Sequence, residues 1–250
     1  MTEASLFFLA GLVAGLINAL AGGAGFLAFP ALLAAGLPPI IANASNFVAL
    51  LPANLVGFAA NLEELAEAHH SLAVRAVMAI LGGTVGALIL ISAGSEAFEQ
   101  AVPWLLLVAT ALYAVGPRAK AWLLGRYGFD GTRFPLLLYV FEFLICVYGG
   151  FFGLGMGIVM LAFYGLLGQE DLNVANAIKN FVVTIVTLVG IVLFWWQDLI
   201  AWLPATVMAT GAAIGGFISA KVGHLAPRHM LRNGILLWAV VLTGYAFWRG

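Results

Sequence analysis

The sequence predicts an all-α integral membrane protein made of two inverted repeats, each a broken or re-entrant helical hairpin plus three transmembrane helices. Three observations lead there. Hydrophobic residues make up 64% of the chain and charged residues 8%, with a mean hydropathy of +1.09, whereas soluble domains carry roughly a quarter charged residues. The 10 basic and 11 acidic residues gather between apolar stretches of about 17–25 residues, the length a helix needs to cross hydrocarbon. The chain also repeats itself: G-F-L-A-F-P-A-L-L-A-A-G-L-P-P-I-I-A-N-A-S-N-F from Gly25 to Phe47 is echoed by G-I-V-M-L-A-F-Y-G-L-L-G-Q-E-D-L-N-V-A-N-A-I-K-N-F from Gly157 to Phe181. Each copy is a glycine break, a short apolar helix, a glycine, and an Asn-Ala pair opening a long apolar run. A broken helix duplicated in both halves points to a site at the repeat interface.

The first repeat, residues 1–116, opens with a hairpin over 6–35 whose arms are 6–21 and 26–35. The N-terminus has no positive stretch ahead of this run, so it reads as a retained membrane segment rather than a cleaved signal. Pro38-Pro39 ends the hairpin, and spans follow at 40–60, 72–91 and 97–115. The linker 117–133 holds Arg118, Lys120, Arg126 and Arg133. The second repeat, 134–250, has a hairpin over 135–167 with arms 135–152 and 158–167, then spans at 174–196, 200–222 and 231–248. Lys221, Arg228 and Arg232 surround its last connection.

The positive-inside rule places both basic regions in the cytoplasm. Between them the chain must cross an even number of times, yet it holds only two unbroken spans, so the broken segment enters and leaves on one side. Its second arm is about 15 Å long at 1.5 Å per residue, half of a roughly 30 Å hydrocarbon core, and suits a re-entrant arm. The same counting puts the first hairpin's ends and both termini outside. The first arms are nearly long enough to span, which keeps a full crossing open as the alternative.

Candidate site residues come from the duplicated segments. Gly22, Gly23 and Gly25 in the first copy and Gly153, Gly155 and Gly157 in the second free the backbone to leave the helix and approach a ligand. Non-helical backbone at membrane depth is tolerated only where protein or a water-filled cavity satisfies it; close helix packing through small residues is the other reading. Gly82 with Gly86 and Gly211 with Gly215 also fall at G-x-x-x-G spacing, and there packing is the expectation. After each hairpin, Asn43, Ser45 and Asn46 align with Asn176, Lys179 and Asn180 once one residue is inserted. Neutral amides and hydroxyls donate to oxyanions, and helix N-termini aimed at one point add N–H groups and partial positive charge. Together they describe a site for a small anion; helix capping and cross-helix hydrogen bonds are the bland alternative.

Lys179 lies inside an apolar run, where a cation costs roughly 2.5 kcal/mol or more. A bound anion, an ion pair with Glu142, or snorkelling to the cytoplasmic face would each compensate it. Glu142 is a carboxylate in the middle of an apolar span and a candidate proton carrier, or else a structural hydrogen-bonding group. Cys146 lacks a second cysteine to pair with and is expected to pack. The four histidines, His69, His70, His224 and His229, lack metal-ligand spacing, and the chain carries no G-x-S-x-G, Walker or H-E-x-x-H motif. Neither metal, cofactor nor catalysis is expected. A net charge of −1 provides no basic surface for nucleic acid. Trp104, Trp195, Trp196, Trp202, Trp238 and Trp248 read as interfacial anchors in the lipid bilayer, Pro30 and Pro52 as sources of kinks. No feature specifies an oligomeric state.

A-G-G-A-G with a following proline, G-L-P-P and A-N-A-S-N in the first half, with Y-G-G-F-F-G-L-G-M-G and A-N-A-I-K-N in the second, resemble the TauE/SafE sulfite exporter family over nearly the whole chain. The resemblance implies a bacterial inner-membrane permease for small sulfur-containing anions, such as sulfite or organosulfonates like sulfoacetate, coupled or not to protons. The expectation is therefore an exporter of such anions with a midplane site between the hairpin tips. Two rivals stay open: a passive small-anion channel, which never accumulates solute against its gradient, and a membrane-embedded interaction or assembly protein whose glycines serve packing alone.

Overall fold

The computed structural model describes residues 3–21, 23–67, 69–127, 135–166, 171–222 and 228–249. Among them all regular structure is helical: α1 (Glu3–Ala21), α2 (Gly25–Ala34), α3 (Pro39–Ala59), α4 (Leu62–Glu67), α5 (His69–Tyr127), α6 (Pro135–Phe151), α7 (Met156–Leu166), α8 (Leu172–Trp196), α9 (Trp202–Val222) and α10 (Arg228–Arg249). Pro39–Ala59, Ser71–Val115, Asn173–Trp196 and Trp202–Ser219 are long and apolar enough to cross a membrane. With Leu, Val, Ile and Phe side chains exposed along them, the chain is a multi-pass membrane protein.

Helix ends follow local chemistry. Pro39 stands at the first position of α3, where its missing N–H costs nothing. Asp171 caps α8, its Oδ1 accepting from the N–H groups of Asn173 at 2.7 Å and Val174 at 3.4 Å. α5 is broken at Gly94, whose φ of 75° and ψ of 176° are not helical. Its second arm continues to Tyr127, so Arg118, Lys120 and Arg126 of the expected linker sit on a helix; Arg133 and His224 lie outside the described residues. Prolines leave carbonyls that distant side chains take up. Pro30 has no N–H for the Phe26 carbonyl, and the Trp238 indole donates to it at 2.9 Å; Pro117 likewise frees the Tyr113 carbonyl, which receives Arg232 Nη2 at 3.3 Å. Trp238 thus ties α10 to α2 rather than serving only as an interfacial anchor, while Trp196 and Trp248 are more than four-fifths exposed.

Small residues let the helices approach backbone to backbone. A Cβ on Gly211 or Gly215 would land on the carbonyls of Phe8 and Leu12, and one on Gly11 or Gly15 on those of Met208 and Ala212, which seats α1 on α9. Gly86 faces the Val147 carbonyl and Gly150 that of Gly83, seating α6 on α5. Each long hairpin arm is therefore held by a helix of the other half. α3 and α8 lie antiparallel, as the successive contacts Phe47–Phe194 (5.2 Å), Asn54–Thr187 (3.3 Å) and Phe58–Phe181 (6.1 Å) show. α7 folds back along α6: Met156 at its start lies against Gly149 near the end of α6, and Tyr164 near its end donates to Glu142 at the middle of α6 at 2.8 Å. The two hairpin tips meet in the core, where Phe29 and Phe152 pack edge to face at 5.6 Å.

Candidate functional site

A cavity of about 70 Å³ lies against both helix breaks. A single water needs roughly 10–15 Å³ of such space, so it has room for several waters or a small ion. Gly23 and Gly25 reach it from the first break, Gly153, Gly155 and Gly157 from the second. Glycine is required at three of these positions: Gly23, Gly153 and Gly155 have φ of 83°, 76° and 76°, a region that side chains disfavour. The second break is braced by Tyr148, whose hydroxyl donates to the Leu154 carbonyl at 2.5 Å, and by Asn43, whose Nδ2 donates to the Phe151 carbonyl at 3.1 Å. The first turns of α2 and α7 border the cavity through Gly25 and Gly157 and bring helix N-terminal partial positive charge to it.

The duplicated polar residues divide between cavity and frame. Asn46, Lys179 and Asn180 line the cavity; Asn43, Ser45 and Asn176 do not. Gly22 lies outside the described residues. Ser45 is buried and accepts from the Ala201 N–H at 2.9 Å, fixing the entry to α9. Asn180 Nδ2 donates to the Gly57 carbonyl at 2.9 Å. Lys179 is 7% exposed, its stem passes Gly157 (3.4 Å from the position of a Cβ there), and among the described residues it has no hydrogen-bond or ion-pair partner. Glu142 does not compensate it. That carboxylate is 1% exposed and pairs with Arg75 Nη1 at 2.8 Å, while the Arg75 guanidinium also stacks 4.8 Å from the Tyr164 ring centroid.

Three further lining residues escaped the sequence reading: Asn18, Asn54 and Thr187. Asn18 Nδ2 donates to Asn54 Oδ1 at 2.8 Å, Asn54 Nδ2 to Thr187 Oγ1 at 3.3 Å, and Thr187 Oγ1 to the Val183 carbonyl at 2.7 Å, a polar chain joining α1, α3 and α8. Asn54 and Thr187 stand eight residues after Asn46 and Lys179, a spacing that returns to one helix face and could have flagged them. Asn46 is 4% exposed, and its buried Oδ1 has no hydrogen-bond partner among the described residues. Among the described residues no three His, Cys, Asp or Glu side chains converge as metal ligands. Among the described residues the arrangement presents one uncompensated cation, neutral amides and two helix N-termini to a small cavity. That chemistry suits an anion.

Similar proteins agree with a membrane setting. The chain is 27% identical over 246 residues to a "Probable membrane transporter protein" of Haemophilus influenzae, covering 96% of this chain and 92% of that one. It is 26% identical over 243 residues to "Probable membrane transporter protein YfcA" of Escherichia coli, covering 95% and 87%, and 28% identical over 257 residues to "Probable membrane transporter protein ORF9" of a Sinorhizobium species, covering 96% and 90%. No solved structure matches. The family model described as Sulfite exporter TauE/SafE matches residues 7–246, and with nearly its whole length so matched the chain belongs to that family.

Proposed function

We propose that this membrane transporter carries small sulfur-containing anions, such as sulfite or an organosulfonate like sulfoacetate, through the cavity at its two helix breaks. The observation that carries the reading is Lys179, a buried cation facing that cavity without a protein counter-charge among the described residues. A cation in such a place needs an anion, and the substrate is the anion available. Asn46, Asn180 and the N-terminal turns of α2 and α7 add donors without adding charge. The family description supplies the sulfur oxyanion.

In this reading the two halves, each a broken hairpin and three crossings, are inverted repeats that rock against one another and expose a midplane site to either side in turn. The antiparallel course of α3 and α8 supports it. Basic residues around 117–133 and 221–232 favour a cytoplasmic position for both segments in a bacterial inner membrane, with the termini outside. Proton coupling through Glu142 would require opening its ion pair with Arg75. The test is saturable flux of labelled sulfite in proteoliposomes. Lys179→Ala should lower it roughly 10–100-fold, the equivalent of one hydrogen bond to a charged group, and unchanged flux with unchanged concentration dependence would remove Lys179 from the site.

A further inference from the structure

Each echoed segment ends on a phenylalanine that directly follows its last asparagine, Phe47 after Asn46 and Phe181 after Asn180. Anion binding gives neither ring a task. In the structure each meets a partner on the opposite helix of the α3–α8 pair. Phe47 packs edge to face on Phe194 at 5.2 Å, and Phe181 lies against Phe58 at 6.1 Å with the rings tilted by 32°. Because α3 and α8 run antiparallel, the two pairs fall on opposite sides of the Asn54–Thr187 contact. Phe47 stands about 10 Å along α3 from Asn54, and Phe181 about 9 Å along α8 from Thr187, at 1.5 Å per residue. The cavity lining has the same limits, from Asn46 to Asn54 on α3 and from Lys179 to Thr187 on α8. One aromatic pair therefore stands at each end of it.

The two ends are unequally sealed. Phe47 is 6% and Phe194 0% exposed. The Phe47 ring fills space left by two glycines: a Cβ on Gly190 would fall 2.8 Å from it, and one on Gly153, at the second helix break, 3.4 Å. Phe58 and Phe181 are only half-buried, and beside them the helices are tied by the hydrogen bond from Asn180 Nδ2 to the Gly57 carbonyl at 2.9 Å. An aromatic pair is worth about 0.5–1.5 kcal/mol beyond its buried area, little enough to part and re-form in each transport cycle. While closed, such an apolar constriction excludes a hydrated anion by dewetting.

We propose that Phe47–Phe194 and Phe58–Phe181 are the two gates of the cavity, one built on each echoed segment, the first shut in this conformation and the second the gate that opens. This rests on the reading of the cavity as a transport site.

The experiment has two arms, both with Ser at position 146. In the first, all four rings are kept and Leu50, a lining residue, is changed to Cys. An impermeant methanethiosulfonate should modify Leu50→Cys about tenfold or more faster from the face at which Asn173→Cys reacts than from the opposite face, since an alternative conformation is populated to about 10% or less. Equal rates from both faces, or faster reaction from the opposite one, would overturn the assignment of shut and opening gates. In the second arm, Phe47→Cys with Phe194→Cys, and separately Phe58→Cys with Phe181→Cys, are bridged by a short bis-methanethiosulfonate. Each bridge should lower labelled sulfite flux in proteoliposomes at least about tenfold, the trace left by a closed state favoured by 1.4 kcal/mol or more, and reductant should restore it. Flux that continues through a bridged pair would show static packing and overturn that gate while leaving the anion site standing. If a double-cysteine protein folds poorly, the first arm still decides. Absence of saturable sulfite flux in the unsubstituted protein would overturn the transport site itself and the gates with it.

Discussion

Lys179 couples function to a stability cost. Burying an ammonium without a partner is unfavourable, and the neighbouring Asn180 is neutral and tied to the Gly57 carbonyl. Replacing it by Met, of similar length and no charge, should raise the melting temperature of the ligand-free protein in detergent, by roughly 1 kcal/mol or more of stability, while lowering sulfite transport by the same roughly 10–100-fold as Lys179→Ala. Added sulfite should stabilise the unsubstituted protein and not Lys179→Met, since a ligand stabilises only the folded state it binds. A lower melting temperature for Lys179→Met would mean that the charge has a partner in the fold. Lys179 was legible in the sequence because a cation in an apolar run stands out, and Asn46 and Asn180 because the motif is said twice. Ser45 lies off the cavity for a geometric reason: one residue from Asn46 it points about 100° away round the helix, toward Ala201. Asn54 and Thr187 fall outside the echoed motif, so only their phase with Asn46 and Lys179 could have shown them.

At the scale of elements, the second hairpin depends on a pair that joins α5 to α6 and α7. Arg75 is 13% and Glu142 1% exposed in their side chains, and Tyr164 closes the cluster from α7. Removing one partner of a buried ion pair strands the other and costs about 3–5 kcal/mol. Arg75→Ala and Glu142→Ala should each lower the unfolding free energy by about that much, measured by denaturant titration in mixed micelles, and the exchange Arg75→Glu with Glu142→Arg should restore part of it. Additive losses in the double exchange would show that the two residues act independently. Glu142 was visible as a lone carboxylate in an apolar stretch, but its partner was not. Arg75 stands near the start of a span, where a cation reads as interfacial, and a contact across 67 residues has no periodic signature. The G-x-x-x-G pairs were legible as packing, and each glycine proves to face a backbone carbonyl or backbone atoms of a helix in the other half. What the spacing did not specify was the partner, because small residues permit close approach without choosing the neighbour.

Over the whole molecule, the all-helical membrane class was legible from composition and span length, since hydrocarbon allows few ways to satisfy a crossing backbone. The proposed inversion of the two halves makes equivalent turns face opposite sides of the membrane. Ala35, after α2, and Asn173, at the start of α8, are both exposed and belong to the connections that follow the two short arms. Cys146 is the one cysteine in the chain and is fully buried, so Ser in its place gives a clean background for labelling. Ala35→Cys should react with an impermeant maleimide from outside intact cells, and Asn173→Cys only after the membrane is opened. Labelling of both from the same side would contradict the inverted arrangement.

A transport site at Lys179 is tested most directly by time courses of labelled sulfite uptake into proteoliposomes of known orientation, with and without an imposed pH gradient, for the unsubstituted protein and Lys179→Ala. The expected result is saturable uptake that overshoots its equilibrium level when the gradient is imposed, reduced at least tenfold by the substitution. Uptake that rises only to equilibrium under every gradient would make the protein a passive channel, and accumulation that persists in Lys179→Ala would place the anion somewhere other than this cavity.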